Sequence, residues 1–113
     1  MTIKELTEKL NLNIISGKNG LSQTLTGCYV SDLLSDVVGH AQIGNIWITL
    51  HTHKNIVAVA SLKKLSCILL VNNQTPSNDA IMQSDKEDIP ILQTQLSTFE
   101  ITGKIYNIIN AQQ

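Results

Sequence analysis

Two short apolar runs limit what this chain can fold into: Ile46-Trp47-Ile48-Thr49-Leu50 and Cys67-Ile68-Leu69-Leu70-Val71. Each has the length of a strand, and neither alternates with polar residues, the pattern of a strand covered on both faces. Between them lie a polar break, His51-Thr52-His53, and a run from Asn55 to Leu65 with Ile56, Val59 and Ala60 on one helical stripe and Ala58, Leu62 and Leu65 on another. A parallel strand pair cannot be closed by a tight turn and needs such a crossover. The spacing therefore predicts two adjacent parallel strands in an α/β fold: three layers, a mixed and mainly parallel sheet with flanking helices.

The flanks extend the pattern. Thr2-Ile3-Lys4-Glu5 has the form of a capping box and opens a helix to Leu10 with Ile3, Leu6 and Leu10 on one face. Asn13 to Ser16 reads as a short strand, Gly17-Lys18-Asn19-Gly20 as a turn, and Thr24 to Val30 as a second strand bulged at Gly27. Ser31 or Asp32 is placed to cap a short helix carrying Leu33, Leu34, Val37 and Val38, and Gly39 and Gly44 bracket the return to the central strand. After Val71, Ser77 or Asn78 caps a helix with Ala80, Ile81 and Ser84 inward, and Ile91-Leu92 begins a strand after Pro90. Ser97-Thr98-Phe99-Glu100 is a second capping box, before a helix striped by Ile101, Ile105, Ile108 and Ile109. Gly103 lies inside that helix at a cost of about 1 kcal/mol against Ala, which points to a close approach of the helix to the sheet.

Composition excludes several function classes. The 113 residues suit one domain, residues 1–113, with its own core. Charged residues make up 15%, below the roughly one quarter usual for soluble chains, so part of the surface is expected to be covered by another copy: a homo-oligomer, with a dimer the first expectation. A net charge of −1 without a basic stripe disfavours nucleic acid. No apolar run has membrane-spanning length, and the N-terminus lacks a signal-peptide pattern. Cys28 and Cys67 form no C-x-x-C and read as reduced thiols in a cytoplasmic protein. The only Gly-Lys pairs, Gly17-Lys18 and Gly103-Lys104, fit no phosphate-cradling loop, and no G-x-G-x-x-G occurs. His51 and His53, with His40 and Cys28, could make a zinc set only by convergence that the spacing does not enforce. Ser97 or Thr98 with His51 or His53 is the only candidate nucleophile and base, without a G-x-S-x-G elbow. No catalytic residue, metal ligand or cofactor is assigned.

Several segments resemble the DRTGG domain family. They are Ile48-Thr49 leading into Asn55-Ile56-Val57-Ala58-Val59-Ala60, then Ile68 to Asn73 with Pro76, Ile89-Pro90-Ile91-Leu92, and Ser97-Thr98-Phe99-Glu100. The resemblance covers roughly Gly27 to Ile109. It implies a fold like the N-terminal domain of HPr kinase/phosphorylase, and a regulatory or ligand-sensing module of the kind that accompanies phosphotransacetylases and CBS-domain proteins, here in stand-alone form. The kinase activity of HPr kinase belongs to a separate domain. The signature itself differs: His51-Thr52-His53 stands where the family has Gly-Asp-Arg, and Val71-Asn72-Asn73 where it has Thr-Gly-Gly.

Connectivity gives the site expectation. Right-handed crossovers bring the loops after three parallel strands to one rim, the rim at which open α/β sheets take ligands. That rim gathers His51, Thr52, His53, Asn72, Asn73 and Thr98 as candidate ligand-binding residues, with helix N-termini that favour an anionic or polar ligand. Imidazoles there would make affinity depend on pH, since an unperturbed histidine titrates at about 6.5. The expected function is a non-catalytic regulatory or sensing domain binding a small polar or anionic ligand or a protein partner. The alternatives are a purely structural homo-oligomerisation domain, with the rim residues serving only as caps, and a small metal- or histidine-dependent enzyme.

Overall fold

The computed structural model describes residues 1–111. Five strands form one sheet in the order β1-β5-β4-β3-β2, where β1 is Asn13–Ser16, β2 Gly27–Val30, β3 Asn45–Thr49, β4 Cys67–Leu70 and β5 Ile91–Gln93. β2, β3, β4 and β5 pair in parallel and β1 lies antiparallel on β5. β3 and β4 are thus interior neighbours in parallel register, Ile46 opposite Cys67 and Ile48 opposite Leu69, and every residue of both is buried.

Five helices cover the sheet: α1 Ile3–Leu10, α2 Leu34–His40, α3 Asn55–Lys63, α4 Asn78–Glu87 and α5 Thr98–Ala111. The parallel strands succeed one another in a single direction, so crossovers of one hand place α2, α3 and α4 on the same face. Trp47, Ile68, Leu70 and Ile91 point to that face and pack with Val37, Ile56, Ala60 and Ala80. The alternate residues Ile46, Ile48, Cys67, Leu69 and Leu92 point to the other, where Ile3 and Leu6 of α1 and Ile101 and Ile105 of α5 meet them. Period two on each strand thereby feeds two separate cores, which is why β4 and the middle of β3 are almost wholly apolar, with the polar residues of β3 at its two ends, Asn45 and Thr49. Trp47 also donates its indole N–H to the Ser31 carbonyl at 2.9 Å. A large buried aromatic thus ties down the loop after β2.

Local chemistry explains the ends. Thr2 and Glu5 form the capping box of α1, and Ser97 and Glu100 exchange the corresponding bonds at α5. Ser77 caps α4 by accepting from the Ala80 N–H. Gly17 has φ +71, and a Cβ there would fall 2.3 Å from the Ile89 carbonyl oxygen, so only glycine fits that turn.

Several local expectations are corrected. β2 begins at Gly27 and runs in regular register with β3; Thr24 only bridges Thr2. The irregularity sits in β1 instead, between Ile14 and Ser16. Neither Ser31 nor Asp32 caps α2, which starts after Leu33 without a side-chain cap. Of its four apolar residues only Val37 is fully enclosed, and Leu33 is well exposed. On α3 the buried face is Ile56, Val57 and Ala60, while Ala58 and Leu62 point outward. Gly103 does not approach the sheet: a Cβ built on it would meet nothing within 4 Å.

Candidate functional site

The loops after β2, β3, β4 and β5 emerge along one rim and are stitched to each other by backbone. Asn72 N–H donates to the Leu96 carbonyl at 2.9 Å and Asn73 N–H to the Thr94 carbonyl at 2.8 Å, joining the loops after β4 and β5. Ser77 N–H donates to the Thr52 carbonyl at 2.9 Å, joining the loops after β4 and β3. The chain leaves β4 toward α4 on one face and β5 toward α5 on the other. Such a divergence opens a crevice in an open α/β sheet. Here the Asn72 and Asn73 amides close it, and those two N–H groups are spent.

Asn72 and Asn73 both have positive φ, 52° and 58°, and Gln74 N–H returns to the Val71 carbonyl at 3.1 Å. Two central residues of positive φ mark a type I′ turn. Glycine is the default there and asparagine the side chain that tolerates it best. Asn-Asn in place of Gly-Gly therefore keeps the turn and adds two exposed amides to the rim.

The six predicted residues separate by role. The ring of His51 is latched: its Nε2–H donates to the Asp32 carbonyl. Thr52 contributes its carbonyl to the stitching. The side chains of Thr52, His53, Asn72 and Asn73 make no hydrogen bond among the described residues, and none of them caps α3, whose N-cap Lys54 makes no side-chain bond. Capping on this rim is done by Ser77 and Ser97. Thr98 turns aside, onto a groove beside α5.

Asp32 is the rim residue that sequence reasoning misplaced. One carboxylate oxygen accepts from the Thr49 hydroxyl at 2.8 Å and from the Leu50 N–H at 2.7 Å. It locks the loop after β2 onto the end of β3. The available signal was its position, two residues past a parallel strand on the same rim as His51.

Other chemistry finds little support here. Among the described residues no three His, Cys, Asp or Glu side chains converge on a metal-sized site. His40 bonds Asp36 at 3.0 Å at the far end of α2, away from His51 and His53. Among the described residues no histidine hydrogen-bonds Ser97 or Thr98. Burial pushes the Cys28 thiol up to about 12, and burial raises Cys67 further. Both stay protonated near neutrality and are poor nucleophiles. No helix among the described residues is long and apolar enough to cross a membrane.

Two concavities adjoin the rim. A polar cleft of about 470 Å³ lies between the end of α1 and the loop after β5, lined by Asn11, Asn13, Gln93, Thr94 and Lys104 among others. An open apolar groove of about 640 Å³ runs along α5, past Val30, Phe99, Gly103 and Tyr106.

The comparisons with known proteins agree with this architecture. No curated protein matches the chain. Among solved structures, the chain is similar to the CBS and DRTGG domains of the regulatory region of Clostridium perfringens pyrophosphatase, complexed with its activator, diadenosine tetraphosphate. The TM-score is 0.70 at 16% sequence identity, over 92% of this chain and 45% of that one. The chain thus spans less than half the length of that structure, and the likeness is one of fold. At the family level, the DRTGG domain covers residues 5–108, taking in every strand and nearly all of the five helices, and the chain belongs to the DRTGG domain family.

Proposed function

We propose that this chain, as one domain over residues 1–113, is a non-catalytic regulatory module of a cytoplasmic system that binds a small polar ligand on its carboxyl rim and associates with itself. The observation that carries the ligand reading is the division of labour on the rim. Ser77, Ser97 and Asp32 supply the structural hydrogen bonds, which leaves the side chains of Thr52, His53, Asn72 and Asn73 uncommitted on a backbone fixed by the stitching between loops. Uncommitted polar groups on a rigid frame are preorganised for a ligand. Membership of the DRTGG family supports a sensing role, and the similar pyrophosphatase region was solved with a nucleotide activator. A phosphate-bearing ligand would meet His53 and Lys54 at the start of α3, while the Asp32 carboxylate weighs against a strongly anionic group near His51.

Diadenosine tetraphosphate, ADP and AMP are the probes to titrate, by calorimetry and by thermal shift, since a ligand of the folded state raises its melting temperature. Two variants remove rim side chains at little structural cost: His53→Ala, and Asn72→Gly, which keeps the left-handed backbone. Loss of binding with an unchanged melting temperature supports the rim as the site. Unchanged binding in both variants removes the rim from the reading. A purely structural interaction domain is the second reading, and the open apolar groove on α5 favours it.

A further inference from the structure

The outer face of α5 is unlike the rest of the surface. Phe99 is 88% exposed and Tyr106 67% exposed, with Val30 of the edge strand β2 beside them. Between the two aromatics lies Gly103, an interior helix glycine whose missing side chain nothing in the chain requires. Glycine there costs about 1 kcal/mol against alanine. A helix gives up that stability where another backbone must come close. No backbone among the described residues does so.

We infer that the occupant of this face is the α5 of a second copy, packed antiparallel about the point between Thr102 and Gly103. The inference deepens the self-association proposed above by naming its surface. A two-fold interface must be complementary to itself, and this stripe is. Residues equidistant from that point meet in an antiparallel pair: Phe99 faces Tyr106 of the partner subunit, and Thr102 faces the partner's Gly103. The aromatics therefore pair twice, at the two ends, and the smallest residues sit where the helices cross. Residues 99, 102/103 and 106 follow three- and four-residue steps, the stripe of a helix seam.

A partner of another kind would have no reason to match a helix stripe that is palindromic in size.

The test begins with the wild-type chain by sedimentation velocity over a range of micromolar concentrations. A reversible dimer is expected. Phe99→Asp should weaken it roughly 10- to 100-fold, as expected for an anchoring aromatic, and Gly103→Leu should abolish it by holding the helices apart. Both side chains project into open space in the single chain, so circular dichroism should be unchanged. A wild-type dimer indifferent to Phe99→Asp and Gly103→Leu overturns the surface and leaves self-association standing. A wild-type monomer throughout overturns both.

Discussion

The carboxyl rim and the outer face of α5 meet at Thr98, and they are built in opposite ways. On the rim the loops are cross-linked through their backbone: they are stitched at 2.8 and 2.9 Å, Asp32 holds two donors, and serines cap α4 and α5. What remains outside is polar and short. Along the outer face of α5, Phe99 and Tyr106 are large, apolar and exposed, and nothing among the described residues covers them. Polar groups can wait in water without penalty, so the rim is stable with or without a ligand. A row of exposed aromatics about a bare glycine is satisfied only by another surface.

The contrast is sharpest within α5 itself, and breaking it there should give the largest effect. Ile105 is fully enclosed against the sheet while its neighbour Tyr106 is exposed. Ile105→Ala should cost about 3 kcal/mol in urea unfolding, through lost burial and a residual cavity. Tyr106→Ala should change stability by less than about 0.5 kcal/mol when measured dilute, where association contributes least. Equal losses from the two would mean that the helix sits differently on the sheet.

A smaller effect is expected on the rim. Asp32→Ala deprives the Thr49 hydroxyl and the Leu50 N–H of their acceptor and should cost about 2 kcal/mol, the range for hydrogen bonds to a charged group. Asp32→Asn retains one acceptor oxygen and should lose less. If neither variant lowers the unfolding midpoint, the rim is not held by this carboxylate, and the rigid frame assumed for ligand binding goes with it.

How far the sequence disclosed all this depends on whether the cause was local. β3 and β4 were legible because burial on both faces leaves a short run that is almost wholly apolar, and each capping box because its partners lie three residues apart. The parallel adjacency of β3 and β4 followed from the helix-length crossover between them. The antiparallel return of β1 onto β5 did not, because nothing near Asn13–Ser16 records a partner some eighty residues away. Asp32 was taken for a cap because an acidic residue before a helix usually is one, whereas its real partners belong to another strand. The bulge was assigned to Gly27 for want of a side chain there, yet the structure bends at Ile14 and Ser16. On the rim, the sequence supplied the loops and their polar residues. It could not supply which amides the stitching consumes or that Thr98 faces the groove.

Gly103 was the most instructive misplacement, and it gives the smallest but most discriminating prediction. The residue was expected to let α5 approach its own sheet; the structure leaves its side open. Gly103→Ala should therefore stabilise the isolated chain by about 1 kcal/mol, the gain in helix propensity. At a helix crossing the same methyl group stands between two backbones and should weaken the dimer. The sign of the effect should then reverse with concentration: a higher urea midpoint than wild type when dilute, and an advantage that shrinks or inverts when concentrated. Stabilisation that is equal at every concentration would mean that the glycine is merely tolerated and the face of α5 has no close partner. Destabilisation in the dilute chain would mean instead that the space beside Gly103 is already used by the chain itself.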